Sequence, residues 1–318
     1  MALEKTLSPA RLSDQLLRVI AIICVILIHF LAMFHDSPFV SSSPYQLVAV
    51  SLDQLSRLSV PLFVALSGYG LSQKYLKTEF RWSEFLTRRV LKLLPLYIVW
   101  SIFYYVALRV VPGWTPTWET TSLPVQLLLG QADYQMYFVP MIFQLYLLFP
   151  FLFQLRRRWP LPTLIVFGCI QVVMFFFFQN RQLMFGNFLV TDQVQYLFCG
   201  TWIFYFVLGM CLPRLHRMLK SSAFLTSVLI AVTLAGGYWI INNALSNINQ
   251  GMNPLYALRF TRYVVLFYAS ASIVLLSWLA MKVRRLPFVI QQIGTHSYGL
   301  YLAHTFLLRV IFSIGILR

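Results

Sequence analysis

Nine apolar runs, each close to the length a helix needs to cross the hydrocarbon of a bilayer, divide this chain: residues 12 to 34, 47 to 73, 86 to 108, 136 to 155, 161 to 178, 195 to 213, 222 to 242, 261 to 281 and 292 to 314. Few folds are open to such a chain, because backbone polar groups in lipid must be satisfied within a helix or a closed barrel. Runs of about twenty residues select helices over the shorter strands of a barrel. The expectation is an all-α, polytopic membrane bundle forming a single domain over residues 1–318. Residues 123–130 are too few to span and read as an interfacial or re-entrant piece.

Composition agrees: 59% of the 318 residues are hydrophobic and 11% charged, with a mean hydropathy of +0.73. The net charge of +16 does not point to nucleic acid, because the basic residues fall in short clusters between the apolar runs. Of the 25 lysines and arginines, 18 lie in alternate segments: Lys5, Arg11 and Arg18; Lys74 to Lys92; Arg156 to Arg158; Arg214 to Lys220; and Lys282 to Arg285. The positive-inside rule then sets the N-terminus in the cytoplasm and the ninth helix ending outside. The polar stretch before the first run has no small-residue cleavage site, so that helix is expected to be retained. Cys24, Cys169, Cys199 and Cys211 stand singly in apolar surroundings and read as packing residues, with no metal-ligand or disulfide spacing.

Ionisable residues inside the runs are the candidates for chemistry, since burying them in hydrocarbon is costly. Arg18 and His29 bracket ten residues in the first run. An offset of eleven is close to three helical turns, so both share one face about 16 Å apart along the axis. His29 either bonds a neighbouring backbone or moves a proton. Asp53 and Arg57, at i and i+4 in the second run, form either a structural ion pair or part of a site in the outer half of the membrane with His29. There a histidine can take a proton from a hydroxyl and an arginine can steady an oxyanion. Pro61 and Gly68 predict a kink and a close helix approach.

Arg88, Arg89 and Lys92 cluster at the inner mouth of the third run, where they either anchor anionic headgroups or hold phosphates. The outer segment 112–134 mixes aromatic and polar residues with Glu119 and Asp133, as an interfacial belt or a sugar-stacking surface. Ser297, Tyr301 and His304 recur at i, i+4 and i+7, a polar stripe that lines a cavity or bonds other helices. These groups suit an enzyme acting inside the membrane or a transporter, but no internal repeat of the kind transporters show is visible. Walker, His-Glu-x-x-His and Gly-x-Ser-x-Gly motifs are all absent.

Taken together, five segments resemble the membrane acyltransferase-3 family, bacterial integral-membrane proteins that acylate surface polysaccharides and related glycans. They are Asp14-Gln-Leu-Leu-Arg18 followed by His29, Ser59-Val-Pro-Leu-Phe-Val-Ala-Leu-Ser-Gly-Tyr69, Arg89-Val-Leu-Lys-Leu-Leu-Pro95, Tyr137-Phe-Val-Pro-Met-Ile-Phe-Gln-Leu-Tyr-Leu-Leu-Phe-Pro150 and Ser297-Tyr-Gly-Leu-Tyr-Leu-Ala-His304. Each is weak alone, but they occur in family order across nearly the whole chain. The resemblance implies an O-acyltransferase of the bacterial inner membrane that takes an acyl group, usually acetyl, from cytoplasmic acyl-CoA to a glycan hydroxyl at the outer face. No permanently bound cofactor and no metal is expected. The expected partners are acyl-CoA, the polysaccharide acceptor, the lipid bilayer and polysaccharide synthesis or export machinery.

The family's Arg-x10-His pattern falls on Arg18 and His29, and its paired basic residues on Arg89 and Lys92. His29 is then the expected base or acyl relay, with Asp14 and Arg18 as an orienting pair, Arg57 as electrostatic stabiliser and Arg88, Arg89 and Lys92 as the CoA dock. Asp53, Ser67, Ser297, Tyr301 and His304 are the expected lining of the acceptor pocket. The chain departs from the family in three places. Lys92 replaces an arginine and loses its bidentate fork; Gln135 and Tyr137 stand where a His and a Trp are common; and nine spans are read where the family usually has ten. Non-catalytic export of a surface polysaccharide is the alternative activity.

Overall fold

The computed structural model describes residues 9–33, 44–116, 122–179 and 192–314; Glu119 lies outside them. Within these residues the chain is helical and has no strand. The helices are α1 (Pro9–Ala32), α2 (Pro44–Ser56), α3 (Ser59–Tyr75), α4 (Trp82–Val110), α5 (Leu123–Leu129), α6 (Phe138–Arg158), α7 (Pro160–Gln179), α8 (Asp192–Leu197), α9 (Ile203–Ser221), α10 (Ala223–Asn249), α11 (Pro254–Ala257), α12 (Tyr263–Ala280), α13 (Phe288–Thr295) and α14 (Ser297–Ser313).

Among the described residues, seven helices are long and apolar enough to cross a membrane. Two of the nine apolar runs fall short of that measure. The second half of α9 carries Arg214, Arg217 and Lys220, and the last run is broken at His296 into α13 and α14. The 123–130 stretch is the seven-residue α5, closed by Gly130 in the left-handed region at φ 66°. Outward faces are apolar: on α10, Leu225, Val228, Val232, Leu234 and Tyr238 are exposed, as a lipid-facing surface requires.

The second run is not one straight helix. Arg57 and Leu58 form a turn between α2 and α3, three residues before Pro61, whose missing N–H leaves the Arg57 carbonyl without its helical donor. Helix α3 then crosses α9 at glycines: a side chain on Gly68 would strike the Phe206 carbonyl, and one on Gly209 the Ala65 carbonyl. Close approach of small residues is how helices associate where the solvent is itself apolar.

The described residues form two compact units. One comprises those up to Tyr69 together with Tyr205–Ser297, and the other those of Gly70–Phe204 together with Tyr298 onward. In the first unit α1 is central, packing against α2, α12 and α13. Its C-terminal end joins an apolar cluster of Leu31, Ala49, Val50, Ala244, Ile248 and Leu258. In the second unit tyrosine hydroxyls tie α4 to its neighbours: Tyr97 donates to the Leu127 carbonyl (2.7 Å) and Tyr104 to that of Leu302 (2.7 Å), while Tyr298 of α14 donates to that of Leu93 (2.8 Å).

Candidate active site

The first unit holds Asp14, Arg18, His29, Asp53 and Arg57. Arg18 Nε donates to Asp14 Oδ2 at 2.8 Å, with about a third of each side chain exposed, so one turn of α1 sets the guanidinium's direction. His29 lies eleven residues further along the same uninterrupted helix and is half-buried.

The register of α1 on α2 fixes what lies level with His29. Cys24 is within hydrogen-bond reach of Ser56, and Leu31 packs with Ala49 and Val50, so the helices run antiparallel with residue numbers summing to about 80. His29 is therefore level with Ser51. Asp53 lies roughly 3 Å along the axis from it and Arg57 roughly 9 Å, toward the middle of α1.

Asp53 and Arg57 are paired through two hydrogen bonds, Arg57 Nε to Oδ2 at 3.0 Å and Nη2 to Oδ1 at 2.8 Å. The carboxylate is 1% exposed. Gln54 Nε2 adds a third donor to Oδ2 at 2.7 Å, and Gln54 Oε1 accepts from Arg262 Nη2. Arg262 Nη1 reaches Asn243 Oδ1 at 2.7 Å and its Nε the Arg259 carbonyl at 3.1 Å. Arg262, Gln54 and Asn243 were not singled out from the sequence; an arginine opening an apolar run was the one available sign. Arg57 and Arg262 face the single carboxylate of Asp53, leaving one surplus positive charge, and Arg57 Nη1 is not used in the pair. A cation held this way suits a developing oxyanion. Ser67 on α3 is half-buried, and Ser297 is buried at the start of α14.

In the second unit the basic cluster separates into different environments. Arg88 pairs with Glu84 on an exposed face of α4, and Lys92 is exposed. Arg89 turns inward, its guanidinium 5.6 Å from the Phe85 ring and 5.5 Å from that of Tyr146, with Nε buried and lacking a hydrogen-bond partner. An inward cation with an unmet donor is suited to a phosphate.

Tyr301 and His304 are buried in the same unit, where they bond protein groups. Tyr301 donates to the Gln135 carbonyl at 2.8 Å, and His304 Nδ1 lies 2.6 Å from the Tyr301 carbonyl. Around them runs a network absent from the sequence expectations. Gln135 Nε2 donates to Thr305 Oγ1 (2.8 Å), which lies 2.9 Å from Asp133 Oδ2 and 2.8 Å from the Tyr104 hydroxyl. Arg309 Nη2 closes it on Asp133 Oδ1 at 2.8 Å. Burial pushes the Asp133 carboxyl above its ordinary range, opposed by the Arg309 charge and by hydrogen bonds from Tyr134 N–H, Thr305 and Arg309. Tyr137 stacks on Trp202, 6.2 Å between ring centres.

The family model for the acyltransferase domain of the acyltransferase-3 family matches residues 15–318, nearly the whole chain. The chain belongs to this family. Membership makes it a membrane acyltransferase in general terms, consistent with its apolar helices. No curated protein and no solved structure matches the chain.

Proposed function

We propose that this acyltransferase-3 protein is an O-acyltransferase of the bacterial inner membrane, with its N-terminus in the cytoplasm. It moves an acyl group, acetyl in the simplest case, from cytoplasmic acyl-CoA to a hydroxyl of an extracytoplasmic polysaccharide or other glycan. The observation that carries this is helix α1: one unbroken element bears the ion-paired Arg18 near one end and the half-buried His29 three turns further along. In this orientation Arg18 faces the donor's side of the membrane and His29 the acceptor's.

In the reaction His29 takes the proton of the acceptor hydroxyl as its oxygen attacks the thioester carbonyl. The tetrahedral oxyanion is stabilised by Arg57, held against Asp53 with Nη1 unused. Its collapse breaks the carbon–sulfur bond, and the thiolate takes the proton back from His29, so CoA leaves as the thiol. Arg89, with support from Lys92, holds a phosphate of the donor. Asp53, Ser67 and Ser297 shape the surroundings of the acceptor.

The test is acyl transfer in proteoliposomes from labelled acetyl-CoA on the cytoplasmic side of the protein to glycan on the other. His29→Ala is expected to abolish transfer, and Arg57→Ala to lower it by about 10²-fold or more. Label retained on the protein in a His29-dependent way would make the histidine an acyl carrier instead of a base. Normal export of glycan with no His29-dependent acylation would sink the enzyme reading in favour of an exporter.

A further inference from the structure

Arg262 is buried immediately before α12, and among the described residues its hydrogen bonds go to neutral oxygens. Nη1 donates to Asn243 Oδ1 of α10 at 2.7 Å, Nε to the Arg259 carbonyl at 3.1 Å, and Nη2 to Gln54 Oε1 of α2. Neutral partners return only part of what it costs to bury a guanidinium in an apolar chain. The charge is therefore worth accounting for by what it acts on, and the bond to Gln54 leads to the nearest carboxylate.

The Gln54 amide has one orientation that satisfies its neighbours. A guanidinium only donates, so the amide oxygen faces Arg262. The amide nitrogen then faces acceptors on its other side, Asp53 Oδ2 at 2.7 Å and the Leu258 carbonyl at 3.4 Å. A reversed amide would set N–H groups against the guanidinium and an oxygen against the carboxylate. Asp53 Oδ2 takes this bond together with that from Arg57 Nε at 3.0 Å, and Oδ1 takes Arg57 Nη2 at 2.8 Å. One path of bonds thus runs from Arg262 through Gln54 and Asp53 to Arg57, wholly within the first unit.

We propose that Arg262 is a positioning residue for acyl transfer, acting on Arg57 through Gln54 and Asp53. The proposal rests on the reading of Arg57 as the group that stabilises the oxyanion. Arg262 has two effects along the path. It fixes the Gln54 amide, which holds the Asp53 carboxylate where it grips Arg57 at two points. Its charge also draws on that same carboxylate, so Arg57 keeps more of its positive field for the oxyanion. Without Arg262 the amide is free to turn, the buried carboxylate loses a donor, and its charge falls on Arg57 alone.

The test measures acyl transfer from labelled acetyl-CoA by the full chain in proteoliposomes, alongside melting temperatures. Arg262→Gln is expected to lower kcat by about tenfold and to change the KM for acetyl-CoA by less than about twofold. Arg262→Lys, which keeps the charge and a donor for Gln54, is expected to recover most of the rate. Gln54→Met breaks the path in its middle and is expected to match the loss seen for Arg262→Gln. In an Arg57→Ala background neither change is expected to lower kcat further, because the group they position is gone. A further loss of about tenfold in that background overturns the proposal, as does wild-type kcat in folded Arg262→Gln or Gln54→Met, or a Lys variant no faster than the Gln variant. If Arg262→Gln does not fold, Gln54→Met with and without Arg57→Ala decides the matter by the same criteria. Wild-type transfer by Arg57→Ala sinks the reading of Arg57 and this proposal with it, whereas an Arg57 effect without an Arg262 effect removes the positioning role alone.

Discussion

Among the described residues each unit buries one carboxylate against an arginine, and the two are built differently. Asp53 and Arg57 are four residues apart, joined across one turn. Asp133 and Arg309 are 176 residues apart, the first in the segment between α5 and α6 and the second near the end of α14. The local pair has a second arginine bonded into its network through Gln54, so positive charge is in excess. The distant pair is balanced one to one and is surrounded by neutral partners, Thr305, Tyr104 and Gln135. Excess charge at a buried site suits an incoming anion, whereas a balanced pair bonded to neighbouring helices suits a clamp between them.

The strongest way to break this contrast is to remove the carboxylates. Asp53→Ala leaves Arg57 and Arg262 facing each other and is expected to destabilise the protein most, by roughly 3–5 kcal/mol in thermal or denaturant unfolding in detergent. Asp133→Ala is expected to cost a similar or slightly smaller amount. Arg309→Ala should cost less than Asp133→Ala, because a buried carboxyl left alone can take a proton and an arginine cannot shed one. Equal losses for Asp133→Ala and Arg309→Ala would contradict the clamp.

Activity sharpens the contrast at a smaller scale. Arg57→Lys keeps the charge but loses the two-point contact with Asp53, so transfer is expected to fall by about tenfold while the melting temperature changes little. Conservative change at the other pair, Arg309→Lys, is expected to lower the melting temperature and leave the rate per folded molecule alone. Among the donor residues, Arg89→Ala is expected to raise the KM for acyl-CoA by about tenfold and Arg88→Ala by less than about twofold, since the Arg88–Glu84 pair is exposed. The smallest effect belongs to Gly70→Ala on α3, where nothing lies within 4 Å of an added side chain; it is expected to be neutral or stabilising by up to about 1 kcal/mol. Gly68→Ala, two residues earlier on the same helix, is expected to disrupt the crossing with α9, and circular dichroism melts separate the two.

Helix content, the positions of most spans, the Arg18–His29 alignment and the Asp53–Arg57 pair all follow from spacing along one helix. That is why they could be read from the chain alone: runs of about twenty apolar residues and offsets of four and eleven have one reading in helical geometry. Pro61 likewise announced the break between α2 and α3, and Gly68 the close crossing. Tertiary structure decided the rest. Arg88, Arg89 and Lys92 look equivalent in sequence, yet packing beside Phe85 and Tyr146 turns Arg89 alone of the three inward over aromatic rings. Ser297, Tyr301 and His304 form the stripe that their spacing suggests, but Tyr301 reaches the Gln135 carbonyl of a distant segment while His304 Nδ1 lies at the Tyr301 carbonyl of its own helix. The partners of Arg262, Asp133 and Arg309 carry no local signal, because they lie far away in sequence. Periodicity reports which face of a helix is buried, and only the packed chain reports what that face meets.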